Sequence, residues 1–159
     1  MQLSHAAPVR SAPFDDRNLL SSAGLVPAMA LAGRAGRAEL AGGHLTVPGG
    51  AGAGAGAKVT SLVAGMVVGG DSVADMDLLR HGGMGRLFTG VRAPSTLGTF
   101  LRALRFGHVR QLDAVAARLL AGLAQYSPLF ASDEPVAYLD VDDTIRSTFG
   151  YAKQGAGYG

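Results

Sequence analysis

Cysteine is absent from this chain of 159 residues. Its absence excludes disulfide bonds, thiolate metal sites and a cysteine nucleophile. Long apolar runs are also missing, because the longest strongly apolar stretch without a charge, between Lys58 and Asp71, has only twelve residues. A membrane-spanning helix needs about 20, and the first residues lack the apolar core of a signal peptide. These absences exclude a membrane span and favour a cytoplasmic protein.

The residues that are present suffice for a folded core, since 48% are hydrophobic and 16% are charged. The pattern divides the chain into three parts. Residues 1–20 form an extended or disordered lead, 21–127 a helical region, and 132–159 the incomplete start of an α/β domain. Inside the helical region, 48–57 (PGGAGAGAGA) predicts a flexible loop. Lys58 follows it without the flanking Gly and Ser/Thr of a phosphate-binding P-loop.

Apolar periodicity and capping residues predict the helices of the middle region. We expect Ser95 or Thr96 to cap one helix, with Leu97, Phe100, Leu101 and Leu104 on its apolar face. Asp71 or Ser72 should cap the helix before it. The predicted helices cover 25–35, 38–41, 59–68, 71–80, 95–104 and 106–125. The longest has an apolar stripe made of Val109, Leu112, Val115, Ala116, Leu119, Leu120 and Leu123.

Arginine is concentrated in one part of the chain. Between Arg80 and Arg118 there are seven arginines and a single acid, Asp113. A basic window of this kind suits phosphate contacts, and helices 71–80 and 95–104 could form a helix-turn-helix-like unit. The alternative is a helical bundle with an arginine-rich solvated face. The candidate DNA-contacting residues are Arg80, Arg86, Arg102, Arg105 and Arg110.

A cluster of carboxylates follows the predicted strand 136–142, in the sequence VAYLDVDDTI. Side chains alternate along a strand, so Asp140 and Asp142 share a face. Two adjacent carboxylates at a strand end suit Mg²⁺. Two chemistries fit: a haloacid-dehalogenase-like phosphatase, with Asp140 as nucleophile and Asp142 as acid/base, or the first strand of an RNase H-like nuclease or transposase.

Longer segments add a family resemblance. DMDLLRHGGMGRLF (75–88), APSTLGTFLRALRFGHVRQLDAVAARLLAGLA (93–124), LDVDDTI (139–145) and GYAKQGAGYG (150–159) resemble bacterial insertion-sequence transposases of the DDE type. The actinobacterial group with an RNase H-like DDE domain is the most similar. The resemblance runs from SSAGLVPAM (21–29) to Gly159, and only the Gly/Ala run at 49–57 is atypical, which suggests a tolerated surface change.

The resemblance implies a fold in which a mainly α N-terminal region precedes the first strand of an RNase H-like α/β domain. It implies that the helical region binds the terminal inverted repeats of the element as double-stranded DNA, at the bacterial nucleoid. It implies Mg²⁺ as cofactor of the full-length enzyme, a homodimer, and Asp142, with Asp140 second, as catalytic and metal-binding residue. The later Asp and Glu are missing from this chain, so it should be inactive alone. A non-catalytic DNA-binding remnant is a further alternative.

Overall fold

Seven helices account for 62% of residues 16–127, the part of the chain that the computed structural model describes, and no strand occurs among these residues. They are α1 Leu25–Arg34, α2 Arg37–His44, α3 Ala55–Val67, a 3-10 helix Ala74–Leu79, α4 Met84–Leu87, α5 Pro94–Ala103 and α6 Phe106–Ala124. The prediction of a mainly helical region is therefore confirmed. The predicted strand at 136–142, with its aspartates, lies outside the described residues.

Helix α3 occupies the centre of the fold, because its side chains enter both hydrophobic clusters. Val59 belongs to the first cluster, which joins α2, α3, α5 and α6 around Phe100. Ala64 belongs to the second, which joins α1 to the 3-10 helix and α4 around Leu79 and Met84. Leu79, Met84 and Phe100 are each at most 1% exposed. The short α4 is therefore held by burial, since four residues are too few to form a stable helix alone.

The Gly/Ala run is packed more closely than its sequence suggests. The loop predicted for 48–57 ends at Gly54, and Ala55 begins α3. A Cβ atom added at Gly56 would lie 2.3 Å from the carbonyl oxygen of Ala38, and one at Gly52 would lie 1.7 Å from that of Val47. Both glycines thus allow close backbone approach, and the interpretation of this run as a tolerated surface change is wrong at these two positions.

Helix α5 begins earlier than predicted. Ala93 is the N-cap residue and Pro94 occupies the first turn, so Ser95 and Thr96 lie inside the helix and do not cap it. Proline suits this position because its φ angle is already helical and the N–H that it lacks would have no helical acceptor. The predicted apolar face of α5 is confirmed at Leu97 and Phe100, which are buried.

The long helix α6 has the predicted length but buries only part of its predicted apolar stripe. Val115 is buried and Leu112 packs against the first cluster. Val109 and Leu120, in contrast, are 47% and 49% exposed. Periodicity identified the helix correctly, but the stripe is wider than the surface that α1 and α2 cover. None of the helices in 16–127 is long and apolar enough to cross a membrane.

Candidate nucleic-acid interface

A short connection joins α5 to α6. Only Leu104 and Arg105 separate the two helices. The N–H of Arg105 donates to Nδ1 of His108 at 2.9 Å, and the N–H of His108 donates to the carbonyl of Arg105 at 2.8 Å. His108 therefore caps the start of α6. Because its Nδ1 accepts a hydrogen bond, the neutral ring carries its proton on Nε2. We call residues 102–110 the α5–α6 corner.

The body of α6 is fixed to the rest of the fold just beyond this corner. The side-chain amide of Gln111 makes two hydrogen bonds to Thr46, and Leu112 and Val115 pack against the first cluster. The residues before Gln111 are less covered: Phe106 is 52% exposed, and Arg110 is also exposed. The first turns of α6 are thus held rigidly while much of their surface stays open to solvent.

Three of the predicted DNA-contacting residues lie at the α5–α6 corner. Arg102, Arg105 and Arg110 are all exposed. Arg102 Nη2 donates to Oγ1 of Thr99 at 3.3 Å. Within 16–127, none of the three lies within 4.0 Å of a carboxylate oxygen. This part of the chain holds eleven Lys or Arg and six Asp or Glu residues, so the arginines belong to a basic region.

The other two predicted residues lie on different elements and have polar partners. Arg80 Nη1 lies 2.6 Å from Oδ1 of Asp77, which is the only ion pair among the described residues. Arg86 Nη1 donates to Oδ1 of Asn18 at 2.8 Å. The carboxylate offsets the charge of Arg80, and the bond to Asn18 restricts Arg86. Three of the five arginines therefore lie close together in the chain at the α5–α6 corner, and two lie on other elements.

The predicted helix-turn-helix pair is also revised. The 3-10 helix does pack on α5, and α4 lies between them in the chain, so the connection is longer than a tight turn, as the sequence already indicated. The short connection is the one between α5 and α6. Its two residues are fewer than the three or four that form the turn of a helix-turn-helix unit, and α5 and α6 pack mainly on other elements. The sequence predicted helices at 95–104 and 106–125 with a single residue between them, but the helix-turn-helix-like unit was predicted for the pair of helices before it.

The predicted catalytic and metal-binding residues, Asp140 and Asp142, lie outside the described residues. Within 16–127, no group of three or more His, Asp or Glu side chains could hold a metal ion. The chemistry that this part of the protein offers is positive charge on a rigid helical corner. Comparison with protein-family models, with curated proteins and with solved structures gives no significant match for this chain.

Proposed function

We propose that the chain is the N-terminal part of a DDE-type insertion-sequence transposase whose helical region binds the ends of the element. The observation that carries this proposal is the α5–α6 corner, where Arg102, Arg105 and Arg110 are exposed and have no carboxylate partner among residues 16–127. The segment GHVRQLDAV (107–115), which carries much of the family resemblance, forms the first turns of α6.

The geometry of the corner suits duplex DNA. An α-helix with its side chains is about 10–12 Å wide, and the major groove of B-DNA is about 12 Å wide. In helix-turn-helix proteins the N-terminal residues of the second helix contact base edges. Arg105 and Arg110 stand at that end of α6, where a guanidinium can bind a phosphate or the edge of a guanine. Arg102 lies at the end of α5, beside the same junction.

The catalytic part of the proposal rests on the resemblance and on donor chemistry. Asp142, with Asp140 second, would supply hard oxygen ligands of the kind that Mg²⁺ prefers. Magnesium would contribute stabilisation of charge during phosphoryl transfer. In the complete transposase, Asp142→Asn should abolish cleavage of a labelled element end and leave binding of that end intact. Loss of cleavage in Asp140→Asn, with Asp142→Asn still active, would reverse the assignment.

The binding function is tested by measuring the affinity of the 159-residue chain for a duplex that carries an element end, over a series of salt concentrations. Each phosphate contact adds about 0.9 to the slope of log K against log salt. The double variant Arg102→Ala/Arg105→Ala should therefore flatten the slope by up to about two units. A slope that does not change would remove both residues from the interface.

A matched control removes the same charge from another place. Arg34 and Arg118 are exposed and line one groove with Tyr126. Arg118 lies about 20 Å along α6 from Arg105, given the rise of 1.5 Å per residue. Arg34→Ala/Arg118→Ala should leave the slope nearly unchanged, because Arg118 lies this far from the corner and Arg34 lines the same groove as Arg118. An equal loss in both double variants would mean that net charge, and not the corner, determines binding.

A further inference from the structure

Lys58 is a buried cation without a counter-charge in the described part of the chain. Only 6% of its surface is exposed. Its ammonium donates one hydrogen bond, to the carbonyl oxygen of Ala51 at 2.8 Å, and lies 5.6 Å from the ring centre of Phe100. Within 16–127, no carboxylate oxygen lies within 4.0 Å of it. Burying a charge is costly unless an opposite charge and further hydrogen bonds compensate.

Lys58 lines an open pocket of about 290 Å³ together with the start of α5. The pocket is completed by Gly50, Ala51, Ser95, Thr96 and Thr99. The start of α5 has no side-chain cap, since the N-cap residue is Ala93 and Pro94 has no N–H. The N–H groups of Ser95 and Thr96 have no acceptor among the described residues. Free N–H groups and the helix dipole together favour an anion.

We propose that this pocket binds a phosphate oxyanion, between the Lys58 ammonium and the first turn of α5. One anion there would compensate the charge of Lys58 and accept from the free N–H groups at the same time. The arrangement differs from a P-loop, because the helix that meets the anion is α5, whereas Lys58 and the glycine-rich turns before it belong to α3 and its approach. This explains how Lys58 can bind phosphate although its flanking sequence lacks the P-loop pattern.

The position of the pocket favours one source of the phosphate. Thr99 lines the pocket and accepts the hydrogen bond of Arg102, so the pocket adjoins the α5–α6 corner. Resting on the proposed function, we assign the anion to a backbone phosphate of the bound duplex. In this arrangement Arg102 and Lys58 hold neighbouring parts of one DNA strand. Phosphate contacts of this kind fix the register of a protein on DNA without reading its sequence.

The first experiment uses inorganic phosphate as the probe. The 159-residue chain is titrated with phosphate at constant ionic strength, with chloride as the balancing anion, and the amide signals of Ser95, Thr96 and Thr99 are followed by NMR. These signals should shift with saturation. Lys58→Met, which keeps the length and apolar stem of the side chain, should weaken the apparent affinity by about tenfold or more, the range for a hydrogen bond to a charged group. A phosphate response confined to other residues would overturn the site.

Lys58 is part of the packed interior, so Lys58→Met could lose phosphate binding through a folding defect. A second variant, at an exposed residue of the pocket, tests the site without this risk. Ser95 is exposed, and its hydroxyl has no hydrogen-bond partner among the described residues. Ser95→Ala should therefore leave thermal unfolding unchanged while weakening phosphate binding several-fold. Unchanged phosphate affinity in Ser95→Ala would overturn the proposal even where Lys58→Met fails to fold.

The second experiment separates the two sources of phosphate, with the duplex and salt series described above. If the ligand is a backbone phosphate, Lys58→Met should lower the salt slope by about 0.9, the contribution of one contact. If the amide shifts depend on Lys58 but the slope does not change, the pocket binds free phosphate and the assignment to DNA is overturned. The Arg102→Ala/Arg105→Ala slope reports on the corner by itself, so DNA binding by the corner can stand or fall independently of the pocket.

Discussion

Gln111 and Thr46 are joined by two hydrogen bonds across 65 residues of sequence. The Oε1 atom of Gln111 accepts from the N–H of Thr46 at 3.0 Å, and its Nε2 donates to Oγ1 of Thr46 at 2.8 Å. The pair ties α6 to the segment that follows α2, next to the point where Leu112 enters the first cluster. The exposed first turns of α6 therefore project from a fixed base.

Replacing Gln111 by alanine should weaken the attachment of α6 to the segment that follows α2. Both hydrogen bonds are near solvent, so we expect the free energy of unfolding to fall by only about 1 kcal/mol. The local effect should be larger, with faster amide exchange over 106–110 and little change in α3. Denaturant unfolding and hydrogen exchange measure the two effects. Gln125→Ala, at the other end of α6, is the control. Equal changes in amide exchange over 106–110 in both variants would show that the hydrogen bonds between Gln111 and Thr46 do not hold the first turns of α6.

Gly56→Ala should destabilise the protein. The added Cβ would meet the backbone carbonyl oxygen of Ala38 at 2.3 Å, so α2 and α3 must move apart. Overpacking of this kind typically costs about 1–3 kcal/mol. Gly42→Ala is the matched control, because it lies within α2 and has no atom within 4 Å of the added Cβ. It should stabilise the helix by up to about 1 kcal/mol. Thermal unfolding should therefore move in opposite directions for the two variants.

Arg37 is a second buried cation, at 6% exposure. Its Nε donates to Oγ1 of Thr60 at 3.1 Å and its Nη1 to Sδ of Met29 at 3.6 Å. Burial lowers the pKa of Arg37, while the nearby charge of Glu39 acts in the opposite direction. The side chain therefore fills space between α1, α2 and α3 at an electrostatic cost.

Arg37→Met should accordingly be tolerated better than Arg37→Ala. Methionine keeps most of the buried volume and removes the desolvated charge, so the change in unfolding free energy should be below about 1 kcal/mol in size. Alanine leaves a cavity, and the expected loss is about 2–4 kcal/mol. Denaturant unfolding of the two variants gives the comparison. Equal losses would mean that the bond to Thr60, and not packing, determines the role of Arg37.

The sequence predicted the helices well where periodicity and burial agree. Leu97 and Phe100 lie on one face of α5 at helical spacing, and both are buried. The start of that helix was wrong because Pro94 begins it with no capping side chain, whereas the capping rule favoured the hydroxyls of Ser95 and Thr96. Local preference was outweighed there by the backbone geometry of proline.

The candidate site was only partly predictable for a different reason. Composition identified the arginines, but nothing in the sequence states that Asp77 neutralises Arg80 or that Asn18 binds Arg86. Partners far apart in the chain depend on tertiary packing. The Lys58 pocket shows the same limit, since its parts come from the turns before α3 and from the first turns of α5. Motif matching tests contiguous residues and could not find it.

Asp75 provides a prediction about pH. Its Oδ2 accepts from the hydroxyl of Ser72 at 2.7 Å and from the N–H of Ser72 at 2.9 Å, at the start of the 3-10 helix. Both bonds lower the pKa of Asp75 below its ordinary value of 3.8, and the bond from the hydroxyl has the larger effect. The carboxylate form is favoured in the folded state, so its contribution to stability is fully present above about pH 3.8 and is lost as the pH falls through the lowered pKa.

An NMR titration of the Asp75 carboxyl should give a midpoint below 3.8, and Ser72→Ala should move it back towards that value. A midpoint that is the same in both proteins would show that the bond from the Ser72 hydroxyl does not persist in solution.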